Sequence, residues 1–218
     1  MGDTRALRIH REGWPFIAAA GLFNLLLFLG APWAGWIFLP VTVWVAAFFR
    51  DPDRQAPPGD RLVICPADGK LLPIVEAPPP AELGLGAAPR LRLSIFMNIF
   101  NVHVNRIPCN GTVTTLAYRP GKFVNAAFDK ASVDNERMAI GVRTEGAGDI
   151  AVVQIAGLVA RRIICNLREG QSVCRGDRFG IIRFGSRVDI YLPEGARVMA
   201  SAGANVRAGE TVLAEFPS

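Results

Sequence analysis

Residues 179–192 read Phe-Gly-Ile-Ile-Arg-Phe-Gly-Ser-Arg-Val-Asp-Ile-Tyr-Leu, and their pattern indicates the fold. Two short apolar runs, each about the length of a strand, are separated by the pair Gly185 and Ser186. Short runs rich in Val, Ile and Leu that are bounded by turn residues are typical of β-strands. This stretch therefore predicts two consecutive strands with a break at Gly185-Ser186.

The same pattern of short apolar runs continues on both sides of residues 179–192, from residue 57 to the C-terminus. Apolar runs of strand length recur there between breaks that contain Gly or Pro. We predict strands at 63–65, 70–76, 90–96, 111–118, 138–143, 150–155, 161–166, 179–184, 188–191 and 211–216. So many short strands favour a mainly β domain over residues 57–218, in the form of a compact β-barrel or β-sandwich.

An eight-residue motif occurs twice in this domain. Gly170-Gln-Ser-Val-Cys-Arg-Gly-Asp177 recurs as Gly203-Ala-Asn-Val-Arg-Ala-Gly-Glu210. The glycines suit turn positions with positive φ. The pattern resembles the turns of the biotinyl/lipoyl-type hammerhead β-fold, although two ordinary hairpin turns would give the same residue pattern. Neither copy contains the attachment lysine of a lipoyl domain, which disfavours a swinging-arm carrier.

Residues 15–49 form a different segment, with 35 residues and no Asp, Glu, Lys, Arg or His. Gly30-Ala31-Pro32 divides it near the middle, because proline favours a turn over a continuing helix. Its total helical length exceeds one crossing of the ~30 Å hydrocarbon core of a bilayer and falls short of two. We therefore predict an N-terminal helical membrane hairpin within residues 1–56.

Arginines flank this apolar segment on both sides. Arg5, Arg8 and Arg11 precede it, and Arg50 and Arg54 follow it. The positive-inside rule keeps both flanks in the cytoplasm, which predicts a location at the cytoplasmic face of the cell membrane. Two other interpretations stay open here: a secretory signal peptide, and a helical hairpin buried in a soluble protein.

Composition excludes several classes of function. Half the residues are hydrophobic, 20% are charged and the mean hydropathy is +0.27, which excludes a disordered or fibrous chain. The formal net charge of +5 comes from scattered bases, which argues against nucleic acid and favours anionic lipid. Four cysteines without a C-x-x-C pair, and only two histidines, offer little for a metal site, so none is predicted. The cysteines fit core residues in a reducing compartment.

Four short motifs suggest chemistry. They are Cys65-Pro-Ala-Asp-Gly-Lys70, Asn101-Val-His-Val-Asn-Arg-Ile-Pro-Cys-Asn-Gly111, Asp134-Asn-Glu-Arg137 and Gly185-Ser186. Taken singly, each has an ordinary explanation as a turn or as a core or surface residue. In this order and spacing they resemble the phosphatidylserine decarboxylase family over residues 50–218. The Phe-Gly-Ser-Arg context is similar to the family's short form.

The resemblance implies a proenzyme that cuts itself between Gly185 and Ser186. The Ser186 hydroxyl attacks the Gly185 carbonyl, a base removes the Ser186 α-proton, and elimination and hydrolysis leave a pyruvoyl group derived from Ser186. This group is the implied cofactor, and it heads a small chain of residues 186–218, with residues 1–185 as the large chain. Its carbonyl forms a Schiff base with the serine amine of phosphatidylserine and accepts electrons as CO2 leaves, so that phosphatidylethanolamine is released.

His103 and Asp68 are the candidate acid/base residues that the resemblance implies. The hydroxyl needs a positioned base, histidine is the usual one near neutral pH, and a carboxylate can orient it. The longer form of the family has a second histidine where this chain has Arg106. Whether His103 serves self-cleavage, decarboxylation or both stays open, as does a contact of Arg106 with substrate phosphate or carboxylate.

Two alternatives stay open beside this interpretation. A membrane-tethered β-barrel adaptor without catalysis would leave the Gly185-Ser186 bond intact. Within the enzyme class, a related phosphoserine-headed lipid such as archaetidylserine is a second possible substrate. For the decarboxylase, the implied partners are the phospholipid substrate, the membrane and the two chains as a heterodimer. A hairpin anchor would hold the β-domain near headgroups that stay in the bilayer.

Overall fold

The computed structural model describes residues 7–121, 134–146, 148–157, 162–183 and 185–217. The chain divides into two compact units, Met1–Asp53 and Arg54–Ser218. The first unit contains two helices and a two-stranded ribbon, and the second contains the larger sheets.

The N-terminal unit is a pair of helices with a short β-ribbon. Its elements are β1 (Leu7–Ile9), a 3₁₀ turn (Arg11–Gly13), α1 (Trp14–Gly30), α2 (Pro32–Phe48) and β2 (Arg50–Pro52), and β1 pairs antiparallel with β2. Ala31 leaves the helical conformation, with φ −148° and ψ 82°. Pro32 begins α2, a position where a missing N–H costs no helical hydrogen bond. The predicted break at Gly30-Ala31-Pro32 is confirmed.

The two helices pack against each other as an antiparallel hairpin. The ring centroids of Phe23 and Phe38 are 4.9 Å apart, and Asn24 Nδ2 donates to Thr42 Oγ1 at 3.2 Å. The helical stretch Arg11–Gly30 is long and apolar enough to cross a membrane, and only 11% of its apolar window is buried. A core helix of a soluble protein is mostly buried, so this exposure argues against the soluble hairpin. α2 is a shorter apolar helix.

The second unit is built from antiparallel strands. They are β3 (Leu62–Ile64), β4 (Gly69–Leu71), β5 (Val75–Ala77), β6 (Arg90–Met97), β7 (Val104–Arg106), β8 (Gly111–Arg119), β9 (Arg137–Thr144), β10 (Gly148–Ala156), β11 (Ile163–Cys165), β12 (Ser172–Val173), β13 (Arg178–Ile182), β14 (Ser186–Tyr191), β15 (Arg197–Val198), β16 (Asn205–Val206) and β17 (Val212–Glu215). The predicted run 70–76 is split between β4 and β5, because Pro73 cannot donate a ladder hydrogen bond. Residues 161 and 184, which bounded two predicted strands, lie outside the described residues.

Nine strands form the main sheet, in the order β12-β8-β9-β10-β14-β6-β4-β16, with β5 also paired to β6. Two three-stranded sheets, β11-β13-β7 and β15-β17-β3, complete the unit. The mainly β prediction is confirmed. Within the described ranges the main sheet does not close into a barrel, because it ends at β12 and β16, which are two-residue strands too short to continue a ladder. The unit is therefore a set of packed open sheets.

The main core lies on one face of the central strands. Side chains alternate between the two faces of a strand. In β14, Val188 and Ile190 belong to the main apolar core, together with Leu93 and Ile95 of the neighbouring β6. Ser186 is in phase with Val188 and therefore faces this core.

The two copies of the repeated motif form equivalent turns at the two ends of the main sheet. Their glycines have positive φ, as predicted: +79°, +92°, +85° and +77° at Gly170, Gly176, Gly203 and Gly209. The central part of the first copy is β12 and that of the second is β16. The sheet thus begins and ends with the same local structure.

The equivalence extends to the two Pro-x-[Asp/Asn]-Gly segments, 66–69 and 108–111. Arg106 N donates to the carbonyl of Pro66, and Ile64 N donates to the carbonyl of Pro108, both at 2.9 Å. These two bonds are reciprocal. In each, the donor lies two positions before one of the two prolines, and the acceptor is the carbonyl oxygen of the other proline. The halves of the β unit are therefore related by an approximate two-fold.

Candidate active site

Ser186 is the first residue of β14 and lies between two neighbouring strands. It pairs with Met97 of β6 on one side and with Ala156 of β10 on the other. Its exposed fraction is 0%, and its Oγ has no hydrogen-bond partner among the described residues. A buried hydroxyl without a partner is uncommon, because its desolvation costs about 1–3 kcal/mol. A reacting group would explain such a cost.

Gly185 precedes that strand in a left-handed conformation. Its φ is +59°, a region that residues with a Cβ adopt at a cost of roughly 1–2 kcal/mol. A Cβ built here would meet no atom of the described residues within 4 Å. The preference for glycine therefore comes from the backbone angle, and the Gly185-Ser186 bond joins a left-handed turn to a buried strand.

His103 is fully buried just before β7. Its carbonyl oxygen accepts a hydrogen bond from Ile182 N at 3.4 Å, which extends the β7–β13 pairing toward Ser186. Its Nδ1 lies 2.9 Å from the carbonyl oxygen of Asn101. Because a carbonyl oxygen only accepts, Nδ1 carries the proton in this contact, and Nε2 is the basic nitrogen of the neutral ring.

Two buried amides connect the His103 segment to the main sheet. Gln154 Nε2 donates to Asn105 Oδ1 at 2.8 Å, and both side chains are fully buried. Asn105 follows His103 by two residues, so their side chains share a face of the extended chain. Gln154 pairs with Val188 and is therefore in phase with Ser186. The Asn105–Gln154 hydrogen bond thus links the strand after His103 to the strand beside Ser186, while no described hydrogen bond joins His103 to the Ser186 hydroxyl.

Gln154, on the strand beside Ser186, is a residue that the sequence analysis missed. Its Oε1 is a second buried polar atom without a hydrogen-bond partner in the part of the chain that the structure describes. The available signal was a lone amide in the otherwise apolar run 150–156, Ile-Ala-Val-Val-Gln-Ile-Ala.

Asp68 lies in the turn before β4, and both of its carboxylate oxygens are bound. Arg54 Nη1 and Nη2 lie 2.5 and 2.8 Å from Oδ1 and Oδ2, and Ala208 N donates to Oδ1 at 2.8 Å. Arg54 also donates to the carbonyl of Ala208. The structure thus pairs Asp68 with Arg54 and not with His103. From the sequence, Arg54 was predicted only as a base flanking the apolar segment.

Asp68 directly precedes Gly69, which lies level with Ser186 in the main sheet. Lys70 pairs with Phe96, and Phe96 pairs with the residue after Ser186. Gly69 and Ser186 are therefore at the same level of the sheet, with β6 between them. At a strand spacing of about 4.8 Å, their Cα atoms lie roughly 10 Å apart.

The Asp134-Asn-Glu-Arg137 motif fixes the end of β10 beside Ser186. Asn135 Nδ2 donates to the carbonyl of Ala156 at 2.7 Å, and Ala156 N donates to the carbonyl of Glu136 at 2.9 Å. Because Ala156 is a ladder partner of Ser186, the motif holds the strand against which Ser186 lies.

Arg106 is buried and connects the two repeated turns. Its Nη1 donates to the carbonyl of Gly176 at 2.8 Å. Its Cδ packs so close to Gly209 that a Cβ there would lie 2.8 Å away. Gly176 and Gly209 are the matching glycines of the two copies, so the described contacts of Arg106 stabilise the fold. Its contact with substrate stays a prediction.

A buried ion pair lies on the opposite face of β14 from Ser186. Arg187 Nε and Nη2 lie 2.6 and 2.7 Å from the two carboxylate oxygens of Asp189, and both side chains are essentially unexposed. Burial and the neighbouring Asp189 charge raise the pKa of Tyr191. This charged layer is separated from the candidate site by the sheet itself.

The buried cysteines near the site are poor nucleophiles. Burial raises the pKa of the Cys109 thiol to about 12 and also raises that of Cys65. Only the thiolate attacks electrophiles or binds metals well, so both groups behave as core residues at neutral pH.

The sequence matches known proteins over almost its whole length. Residues 41–214 match the family described as phosphatidylserine decarboxylase. A phosphatidylserine decarboxylase proenzyme of Paramagnetospirillum magneticum (strain ATCC 700264 / AMB-1) is 54% identical over 213 residues, which cover 96% of this chain and 88% of that protein. A phosphatidylserine decarboxylase proenzyme of Cereibacter sphaeroides (strain ATCC 17025 / ATH 2.4.3) is 55% identical over 218 residues, which cover 100% of this chain and 94% of that protein.

Proposed function

The chain belongs to the phosphatidylserine decarboxylase family, and from that membership we propose that it activates itself by cutting the Gly185-Ser186 bond. Its reaction is the decarboxylation of phosphatidylserine to phosphatidylethanolamine. The matches do not favour the non-catalytic adaptor or the archaetidylserine decarboxylase that the sequence left open.

One observation carries the proposed cut: the fully buried Ser186 Oγ, which no described hydrogen bond occupies, directly follows a glycine with φ +59°. An unbonded hydroxyl keeps its lone pairs available for attack on a carbonyl carbon. A left-handed glycine turns the chain sharply at the bond to be cut. Burial also excludes water that would compete with the hydroxyl.

The cut requires a base, and we assign that role to His103. Ser186 Oγ bonds to the carbonyl carbon of Gly185, its proton passes to His103 Nε2, and the C–N bond breaks as the nitrogen takes a proton. Removal of the Ser186 α-proton then breaks the Cβ–Oγ bond and expels the Gly185 carboxylate, which leaves dehydroalanine at position 186. Water adds to the imine tautomer of this residue, and its nitrogen leaves as ammonia. The contact with Asn101 leaves Nε2 as the basic nitrogen of His103.

Asp68 is the poorer base because Arg54 and Ala208 occupy both of its oxygens. We propose that it acts as a positioning residue. Its carboxylate holds the turn that leads into β4, two strands from Ser186. It also balances the charge of the mostly buried Arg54.

The implied pyruvoyl cofactor fits this site, because Ser186 is buried, is held between two strands and has no hydrogen bond at Oγ from any described residue. When formed, the group supplies an electron sink for the loss of CO2. The protein's own part is to exclude water, to hold β14 in register and to deliver a proton to the substrate carbon. His103 is the proposed donor.

We further propose that the chain works at the cytoplasmic face of the cell membrane as a large chain (1–185) and a small chain (186–218). The apolar, exposed helices α1 and α2 support the membrane anchor. Arg11 before them and Arg50 after them support cytoplasmic flanks. The two chains would stay associated through the ladders of β14 with β6 and β10.

The test is the mass of the purified full chain under denaturing conditions, followed by an assay of CO2 release from phosphatidylserine. We expect fragments of 185 and 33 residues, with a blocked N-terminus on the shorter one. The Ser186→Ala variant should stay a single chain of about 23.5 kDa and release no CO2. An active wild-type protein that remained one uncut chain would overturn the proposed self-cleavage.

A further inference from the structure

Two adjacent large apolar residues, Ile99 and Phe100, project from the β unit into solvent. Their exposed fractions are 40% and 66%. In the described part of this unit the other exposed large apolar side chains, Tyr118 and Met199, stand apart from each other in the sequence. A single exposed apolar side chain is ordinary, whereas an exposed pair at the tip of a loop needs an explanation.

The loop that carries them, residues 98–101, is held in one shape by its own asparagines. Phe100 N donates to Asn98 Oδ1 at 2.8 Å, and Asn98 N donates to Asn101 Oδ1 at 2.9 Å. Asn101 N also donates to the carbonyl of Asn98 at 3.1 Å. We call residues 98–101 the 98–101 tip. Its apolar side chains are therefore presented on a closed turn.

Both ends of the 98–101 tip lead directly into the candidate active site. Met97, the residue before it, pairs with Ser186. Asn101, its last residue, holds Nδ1 of His103 through its carbonyl oxygen. The exposed side chains of Ile99 and Phe100 thus stand within a few residues of the two groups to which the reaction is assigned.

A cation accompanies the apolar pair. Lys70 is exposed on β4 and pairs with Phe96, one residue before Met97. Lys70 thus places a base on the strand beside the one that leads into the tip, and a base in this part of the unit suits the surface of a membrane that contains anionic phospholipid. This favours a lipid surface over a purely apolar protein partner.

We propose that the 98–101 tip inserts Ile99 and Phe100 into the bilayer that holds the substrate, and so brings a phosphatidylserine headgroup to Ser186. The proposal rests on the proposed function, because it names how that site reaches a diacyl substrate. A headgroup at the bilayer surface is reached only by a site whose rim contacts that surface. Among the described residues, the tip carries the exposed apolar pair that lies, along the chain, between Met97, the ladder partner of Ser186, and His103.

The test compares two substrates with the full, self-processed chain: phosphatidylserine in vesicles, and a short-chain phosphatidylserine dispersed as monomers. The variant is Ile99→Ser/Phe100→Ser, and the matched control is Met199→Ser, which removes exposed apolar area elsewhere in the unit. We expect the double variant to lose about tenfold or more in CO2 release from vesicles, given the apolar area withdrawn from lipid. On the dispersed substrate it should stay within about twofold of wild type, and Phe100→Trp should keep activity on both substrates.

Equal losses on both substrates would overturn the proposal, because they would show damage to the site and not to bilayer contact. So would full activity of the double variant on vesicles. A wild-type chain that sedimented as a dimer, and became a monomer in the double variant, would identify the tip as a subunit interface instead. If wild type released CO2 from neither substrate, the proposed function itself would fail, independently of the tip.

Discussion

Asp68 and Asn110 occupy equivalent positions in the two halves of the β unit. Ala208 N donates to Asp68 Oδ1, and Arg175 N donates to Asn110 Oδ1, both at 2.8 Å. An amide side chain therefore accepts the backbone hydrogen bond of this turn as well as a carboxylate does. The negative charge of Asp68 is not required by the turn, and its described use is the ion pair with Arg54.

This equivalence gives a controlled test of Asp68. Asp68→Asn should keep the turn but lose the charge, so we expect a folded chain that is cut at least tenfold more slowly. Its stability should fall by about 1.5–3 kcal/mol, the range for a lost hydrogen bond to a charged group. The cut fraction on denaturing gels and the thermal unfolding midpoint measure the two effects separately.

The control for Asp68 is Asn110→Asp, which adds a carboxylate at the matching position. This variant should be cut at the wild-type rate. Normal cutting of Asp68→Asn would remove Asp68 from the proposed machinery.

His103→Gln should slow both self-cleavage and CO2 release, each by about 10²–10⁴-fold, the usual contribution of a positioned acid or base. Cleavage is followed on gels, and CO2 release is expressed per cut chain, so that the two steps are separated. The matched control is His10→Gln, the only other histidine of the chain, which accepts a hydrogen bond from Glu12 N in the N-terminal unit. If both steps kept their wild-type rates in His103→Gln, the assignment would be wrong.

Gly185→Ala should lower stability by roughly 1–2 kcal/mol, because alanine must adopt φ +59°. It should also slow the cut, since the turn at the bond changes. Gly203→Ala is the control: its φ is +85° and its Cβ would also meet nothing within 4 Å. We expect the control to show a similar loss in urea unfolding with normal processing. Equal processing of both variants would contradict a special requirement at Gly185.

The Arg187–Asp189 pair gives a prediction about stability alone. Asp189→Asn should destabilise the chain by about 3–5 kcal/mol, because it removes the buried carboxylate charge that faces the guanidinium groups of Arg187 and Arg92. Replacing both residues, as Arg187→Met/Asp189→Leu, should recover only part of this loss, because the buried Arg92 also loses the carboxylate that lies 4.0 Å from its Nε. By comparison, Arg197→Met removes an exposed ion pair with Glu215 and should cost less than about 1 kcal/mol. Urea unfolding monitored by circular dichroism checks all three.

Thiol labelling tests the burial of the cysteines. Since burial raises the pKa of Cys109 to about 12, the thiol is protonated below that pH, and about one part in ten thousand is thiolate at pH 8. We expect maleimide to modify the exposed Cys174 quickly and Cys65 and Cys109 only after unfolding in urea. Mass spectrometry of the peptides identifies the sites. Rapid native labelling of Cys109 would show that its segment opens.

Local features of the fold could be predicted from the sequence. Pro32 divides the apolar segment, because proline acts on its immediate neighbours. The four motif glycines take positive φ for a similarly local reason. The long strands β6, β8, β9 and β10 lie within one or two residues of the predicted runs.

The features that the sequence analysis missed depend on contacts between distant residues. Arg54 reaches Ala208 across 154 positions, and Gln154 reaches Asn105 across 49. No periodicity encodes such pairs, because they follow from the order of strands in the sheets. The same holds for barrel closure, because whether the strands form a barrel depends on pairing at the ends of the sheet, which here are two-residue strands.

β14 pairs along its whole length with a strand on each side, and this position determines whether folding or the proposed cut comes first. The proposed cut before Ser186 would leave a 33-residue peptide whose leading strand has six ladder pairs on each side. Such a strand pairs with its neighbours while the chain is still continuous, because a separate peptide would have to insert between two strands that are already formed. Folding must therefore be complete before the chemistry begins. An enzyme cut at this bond would lose, on unfolding, the connection that guided its assembly, so its lifetime would be governed by the rate of unfolding.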